Sequence, residues 1–216
     1  MATANYVLLE KITVGAAGAS SVTFSNIPQT GYTDLVLKTS TRNTNAVNLV
    51  NYRLNFNGSS AITINEQLLY GDGSNPGWAN PTQTGGSTYG FATGASATAN
   101  TFANNDYYIP NYTSSNYKSV SIDMAHENNG TTAYAGIDAT LWSSSAAITS
   151  ITLTPTTVSI GQYSTFYLYG IAKFGTTPTI APKASGGDTI MTDGTYWYHT
   201  FISSGTFTPQ KAITTD

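Results

Sequence analysis

Short runs of alternating apolar and polar residues recur along the chain, and most are closed by glycine, proline or asparagine. A period of two marks a half-buried strand, because successive side chains of an extended chain point to opposite faces. Tyr6–Val14 is the first such run and ends at Gly15-Ala16-Ala17-Gly18. Ser21–Ile27 sets Val22 and Phe24 on one face and stops at Pro28. Thr33–Thr39 sets Leu35 and Leu37 against Val36 and Lys38. Val50–Asn57 aligns Tyr52, Leu54 and Phe56 and runs into Asn57-Gly58. Asn-Gly suits a type I′ turn, whose two central residues need positive φ, so a hairpin returning along Ala61–Leu69 is predicted.

Residues 71–103 break the rhythm. They hold few aliphatic side chains but include Trp78, Tyr89, Phe91 and Phe102. A long loop ordered by its aromatic contacts is the expectation there. Regular alternation resumes in Tyr117–His126, with Val120, Ile122 and Met124 on one face. Thr132–Trp142 sets Ala133, Ala135, Ile137, Ala139 and Leu141 on one face, and Asn128-Asn129-Gly130 joins the two runs as a hairpin. Ile148–Thr154 ends at Pro155, and Tyr163–Ile171 is apolar or aromatic on both faces, as in a strand covered on both sides. About eight strands at this spacing predict an all-β protein, an antiparallel β-sandwich of jelly-roll type over residues 1–174. Residues 175–187 read as a Pro/Gly linker, and residues 188–216 as a short C-terminal β-hairpin segment turned at Asp193-Gly194.

Within that tail, Gly186-Gly187-Asp188-Thr189-Ile190, Asp193-Gly194, Tyr196-Trp197-Tyr198-His199, Phe201 and Ser203-Ser204-Gly205-Thr206-Phe207 follow one another. The series resembles the opening of the glycine-rich module at the C-terminus of many bacteriophage tail-fibre and other virion proteins. Tyr6–Val14 with Phe24-Ser25-Asn26-Ile27-Pro28, and Phe166–Ile171, are similar to structural proteins of environmental phages. The resemblance implies a virion protein. Here the module stops after Phe207-Thr208-Pro209 instead of continuing into long glycine-rich strands, so a short docking element is expected as much as a complete adhesive tip.

Composition sharpens this expectation. Charged residues make up 9% of the chain, against about 25% in ordinary soluble domains, so Ser, Thr, Asn and Gly must keep the surface wet. Fifteen Tyr, eight Phe and three Trp exclude global disorder. The absence of cysteine leaves no role for disulfides. Neither a secretory signal nor an apolar stretch of about 18 residues is present, so membrane insertion is not expected. A display-type surface on a chain without a signal points to assembly in a bacterial host cytoplasm and residence on the virion surface. The net charge is −3 and the eight Lys and Arg residues are scattered, which argues against a nucleic-acid partner.

Catalytic material is sparse. Asp123 and Glu127 share one strand face, but four residues of strand separate them by about 13 Å. Glycosidase carboxylates stand about 5–9.5 Å apart. His126 and Glu127 are read as solvent-facing residues beside a hairpin, and His199 as a packed or interface residue. No Gly-x-Ser-x-Gly elbow accompanies either histidine. Gly71-Asp72-Gly73-Ser74-Asn75 offers oxygen ligands for calcium but lacks the closing Glu, so a backbone turn is preferred. The Asn-x-Ser/Thr triplets at Asn57, Asn111 and Asn129 are ascribed to composition. No catalytic, cofactor-binding or metal-binding residue and no cofactor is expected.

Tyrosine combines large contact area with a polar tip, which suits interfaces and glycan stacking. The residues assigned to an interface or to glycan contact are Trp78, Tyr89, Phe91, Tyr107, Tyr108, Tyr112, Tyr163, Tyr167, Tyr169, Tyr196, Trp197, Tyr198 and His199. The expected protein is a non-enzymatic homotrimer that decorates or cements a phage capsid, or forms a head fibre, beside the major capsid protein. The alternative is a tail-fibre or spike protein, held by other tail proteins, whose loops contact host surface glycan.

Overall fold

Alternation in the sequence becomes alternation between two sheets. The computed structural model describes residues 6–59, 63–80, 82–84, 90–129, 133–172, 184–192 and 196–209. The chain divides into two compact units, Met1–Lys173 and Phe174–Asp216. In the first unit the described strands are β1 (Tyr6–Thr13), β2 (Val22–Phe24), β3 (Tyr32–Thr41), β4 (Leu49–Phe56), β5 (Thr63–Gly71), β6 (Pro76–Ala79) and β7 (Thr82–Thr84). They continue with β8 (Phe91–Thr93), β9 (Ala103–Ile109), β10 (Lys118–His126), β11 (Tyr134–Trp142), β12 (Ile151–Pro155) and β13 (Thr165–Ala172). No helix occurs among the described residues.

The larger sheet runs β1-β13-β3-β9-β10-β11-β5-β6, with β7 also pairing β5, and the smaller runs β2-β12-β4-β8. The ladders of both sheets are antiparallel. The inner faces form one core. Phe24, Leu54, Phe56, Ile151 and Leu153 come from the small sheet, and Leu35, Leu37, Tyr107, Ile109, Phe166 and Leu168 from the large one. Tyr52–Phe166 and Phe56–Trp142 ring contacts at 6.5 and 5.2 Å stitch the two layers. Burying each such side chain contributes about 1.5–3 kcal/mol. The unit is therefore an antiparallel β-sandwich, as the alternation predicted at the coarser level.

Four local expectations are corrected. Residues 71–103 carry β6, β7 and β8 instead of one long loop, because the long β5 offers pairing to β6 and β7, and β4 to β8, segments that have no aliphatic alternation. Asn57 and Gly58 adopt the predicted positive φ of 56° and 62° and close the turn by a Ser59 N–H bond to Phe56 O of 3.1 Å. The chain nevertheless leaves this turn into the other sheet, so β4 and β5 are not a hairpin. Tyr163 precedes β13, in a turn with φ 68°, and shares no strand face with Tyr167 and Tyr169. The apolar face of β11 points outward, with Ile137 and Leu141 exposed while Asp138, Thr140 and Trp142 turn inward. The predicted β10–β11 hairpin does form, pairing His126 with Tyr134.

The second unit holds two small ladders, β14 (Ala184–Ser185) with β17 (Thr208–Pro209) and β15 (Thr189–Thr192) with β16 (Trp197–Thr200). Its Gly-Gly-Asp motif has a local cause. Gly186 lies at φ 104°, and a Cβ there would stand 1.9 Å from Thr206 O. Asp188 then caps the ladder, its N–H donating to Thr200 O at 2.7 Å and its Oδ2 accepting from Ile202 N at 2.8 Å. Residues 175–183 of the predicted linker and the Asp193-Gly194 turn lie outside the described residues, while Ala184–Ser185 is strand.

Candidate functional site

The outward face of the large sheet is crossed by a single register row. Lys11 pairs with Tyr167, Tyr167 with Lys38, Lys38 with Asp106, and Asp106 with Asp123. Asp123 pairs with Ile137, Ile137 with Leu69, and Leu69 with Trp78. The row changes character along its length, from cationic and aromatic through acidic to apolar.

At the first end Lys11 Nζ lies 5.3 Å from the Tyr167 ring centroid, and Tyr167 stacks on Tyr169 at 6.5 Å and 17°. In the next row Tyr108 pairs with Val36 and Ser121, and its Oη donates to Asp34 Oδ2 at 3.0 Å. Asp34 Oδ1 accepts from Asn111 N at 2.8 Å, fixing the end of β9. Burial, then the Asp34 carboxylate, push the Tyr108 hydroxyl up from the ordinary phenol range.

At the centre Lys38 pairs with Asp106 in the one ion pair among the described residues. Asp123 stands directly across from Asp106, where Cβ atoms of facing residues are about 4.5–5.5 Å apart. It has no cationic partner among the described residues. Facing like charges disfavour the pairing, an arrangement the fold tolerates because both side chains point to water. This carboxylate pair is what sequence reasoning missed. Glu127, the partner considered for Asp123, lies beyond the end of β10 and accepts from Asn129 N to close the next turn.

At the far end, Leu69, Trp78 and Ile137 are 58%, 71% and 54% exposed. A shallow groove of about 840 Å³ runs from Leu69 and Ile137 to Asp106 and Asp123, and a second hollow of about 570 Å³, which shares Leu69, Ile137 and Asp123 with it, reaches Trp78. Gly77 helps shape the first. A Cβ on Gly77 would lie 2.3 Å from Tyr70 Cζ, so the missing side chain lets the Tyr70 ring lie flat over β6. The β5–β6 turn is held by Asp72, whose Oδ1 accepts from Ser74 N at 2.8 Å and Asn75 N at 2.6 Å. These bonds, Asn75 first, hold its carboxyl below the usual range. Among the described residues no three His, Asp or Glu side chains converge to hold a metal ion.

The remaining candidates separate. Phe91, Tyr107 and Tyr112 belong to the core, at 4%, 1% and 0% exposure, so they cannot present a surface: β9 alternation turns Tyr107 inward, β8 is buried at every position, and Tyr112 packs inward from the turn after β9. Tyr112 Oη donates to Pro28 O, and burial pushes that hydroxyl up to about 12. Tyr163 is exposed. In the second unit Tyr196 and Tyr198 are exposed and Trp197 half-buried, while His199 Nδ1–H donates to Gly186 O at 2.6 Å and its ring meets Phe207 edge-on. Tyr89 lies outside the described residues. His126 is buried, not solvent-facing, because it continues the inward parity of Met124. Its Nε2–H donates to Asn48 O at 3.0 Å.

No protein-family model, curated protein or solved structure matches the chain.

Proposed function

We propose that this protein is a non-enzymatic structural component of the outside of a bacteriophage particle: an oligomeric capsid decoration or cement protein, or a head fibre. The observation that carries the reading is strand order. Two quartets, β1-β13-β3-β9 and β2-β12-β4-β8, face each other across the core. The chain visits them in the order β1, β2, β3, β4, β8, β9, β12, β13. We read that path as a jelly roll, an architecture used by viral capsid and lectin domains. On this reading β5–β7 and β10–β11 are two insertions that widen one sheet.

Fold alone does not assign function. The sparsely charged, tyrosine-rich surface and the Gly-Gly-Asp to Ser-Ser-Gly tail support the virion, and the protein would sit there as a homotrimer beside the major capsid protein. Immunogold labelling of intact particles tests this. Gold over the capsid is expected; no gold on particles from lysates that contain the protein would end the proposal. Gold confined to the tail would favour the second reading, a receptor-binding fibre or spike protein. The exposed Trp78, in one register row with a pair of carboxylates, is the observation that favours glycan contact.

A further inference from the structure

The outward face is amphipathic along one register row, and two shallow hollows meet at its Asp123, Ile137 and Leu69. Ile137, Leu69 and Trp78 are adjacent in the ladder and all more than half exposed, which is unusual for aliphatic and indole groups on a free sheet. Three strand spacings separate Trp78 from Asp123, about 14 Å. That is room for a short oligosaccharide. Sugar rings have the same duality as this row, apolar C–H faces and a rim of hydroxyl donors.

We propose that this row and the two adjoining hollows bind a glycan of uncharged or amine-bearing sugars, with Trp78 as the stacking platform, Asp123, which lines both hollows, as the central acceptor and Asp106 as a second. Charge decides the ligand class. Asp106 is already engaged by Lys38, but Asp123 brings a second carboxylate to the same point and forms no ion pair of its own among the described residues. Carboxylates accept and do not donate when ionised, so they select hydroxyl, amide or ammonium donors. An acidic sugar would meet like charge at the centre of its site. Asn104, two residues before Asp106 on β9 and also lining the groove, adds an amide able to donate or accept.

The architecture favours holding over cleaving. Both carboxylates lie on an open face, and Asp106 is half exposed. A general acid in glycoside hydrolysis instead needs a sheltered carboxyl that stays protonated.

This inference rests on the second functional reading, contact with host glycan, and stays separable from placement on the virion. The test is a microarray of bacterial surface glycans, grouped as neutral, amine-bearing and acidic, probed with the full chain. Binding should fall in the first two groups, weaken at least tenfold in Trp78→Ala, recover largely in Trp78→Phe, and weaken severalfold in Asp123→Asn. Trp78 is exposed, so its variants should keep the parent melting temperature. Failure to bind any group, preference for acidic glycans, or binding indifferent to Trp78 would overturn the proposal. So would an oligomer that Trp78→Ala dissociates, since the groove would then be an interface between copies. Immunogold on the particle in the absence of glycan binding would sink this inference alone and leave the virion assignment standing.

Discussion

Lys118 shows at the scale of one residue how so weakly charged a chain uses its ions. Its side chain is 1% exposed, and Nζ donates to Ser114 O, Asn116 O and Ala146 O at 2.6–2.7 Å while lying 5.7 Å from the Trp142 ring centroid. Lys118→Met keeps the apolar stem but strands those carbonyls, and should cost about 1–3 kcal/mol in urea unfolding. Val158 is the opposite case, a β-branched residue held at φ 43° and 60% exposed. Val158→Asn should stabilise the protein by about 1 kcal/mol, because Asn tolerates the left-handed region that Val resists. Burial holds the His126 ring below its ordinary pKa. The unfolded chain therefore takes up the proton first, near pH 6.5, and stability is full above that pH and falls as pH drops through it. His126→Gln should flatten this limb of a stability–pH curve measured by thermal melting. Asp138 acts with the opposite sign, since burial raises its carboxyl and acidification toward 3.8 favours the folded state. The inward setting of His126 follows from the Val120-Ile122-Met124 alternation carried two residues further, so it was legible in the sequence. The burial of Asp138 was not, because Ala135, Ile137 and Ala139 mimic a core-facing set.

At the scale of elements, side chains replace missing backbone pairing. Asn105 accepts from Phe91 N at 2.6 Å and donates to Phe91 O at 2.9 Å, which tethers β8 beneath β9 as another strand would. Asn57 does the same for the approach to β12, with Oδ1 accepting from Thr149 N and Ser150 N at 2.8 and 3.2 Å and Nδ2 donating to Ala147 O at 2.8 Å. Asn57→Ala loses these bonds and meets a positive φ, so it should destabilise by about 2–3 kcal/mol. Asn57→Gly keeps the turn and should recover about 1 kcal/mol of that in the same unfolding assay. The turn at Asn57-Gly58 was readable because type I′ chemistry is local. The destination of the following strand was not, because sheet membership depends on partners far away in the chain. Asp106 stayed hidden for the same reason: its outward parity follows from Asn104 and Tyr108, but its place opposite Asp123 is a matter of cross-strand register.

For the whole molecule, the sandwich was legible from composition and period, since both sheets have one dry face and a core of alternating Leu, Ile, Val and Phe. The widening of one sheet beyond the other was not, because β6 and β7 lack any apolar period of their own. That widening matters for function, as it extends the outward face that carries Trp78, Leu69 and Ile137. The proposed place on a virion draws on the low charge of the chain and on this amphipathic face. The most direct test is a cryo-electron-microscopy reconstruction of the phage particle. The account predicts sandwich-shaped density on the capsid exterior, in groups of three copies of this chain at three-fold or quasi-three-fold positions. A fully interpreted particle map without this chain would contradict it.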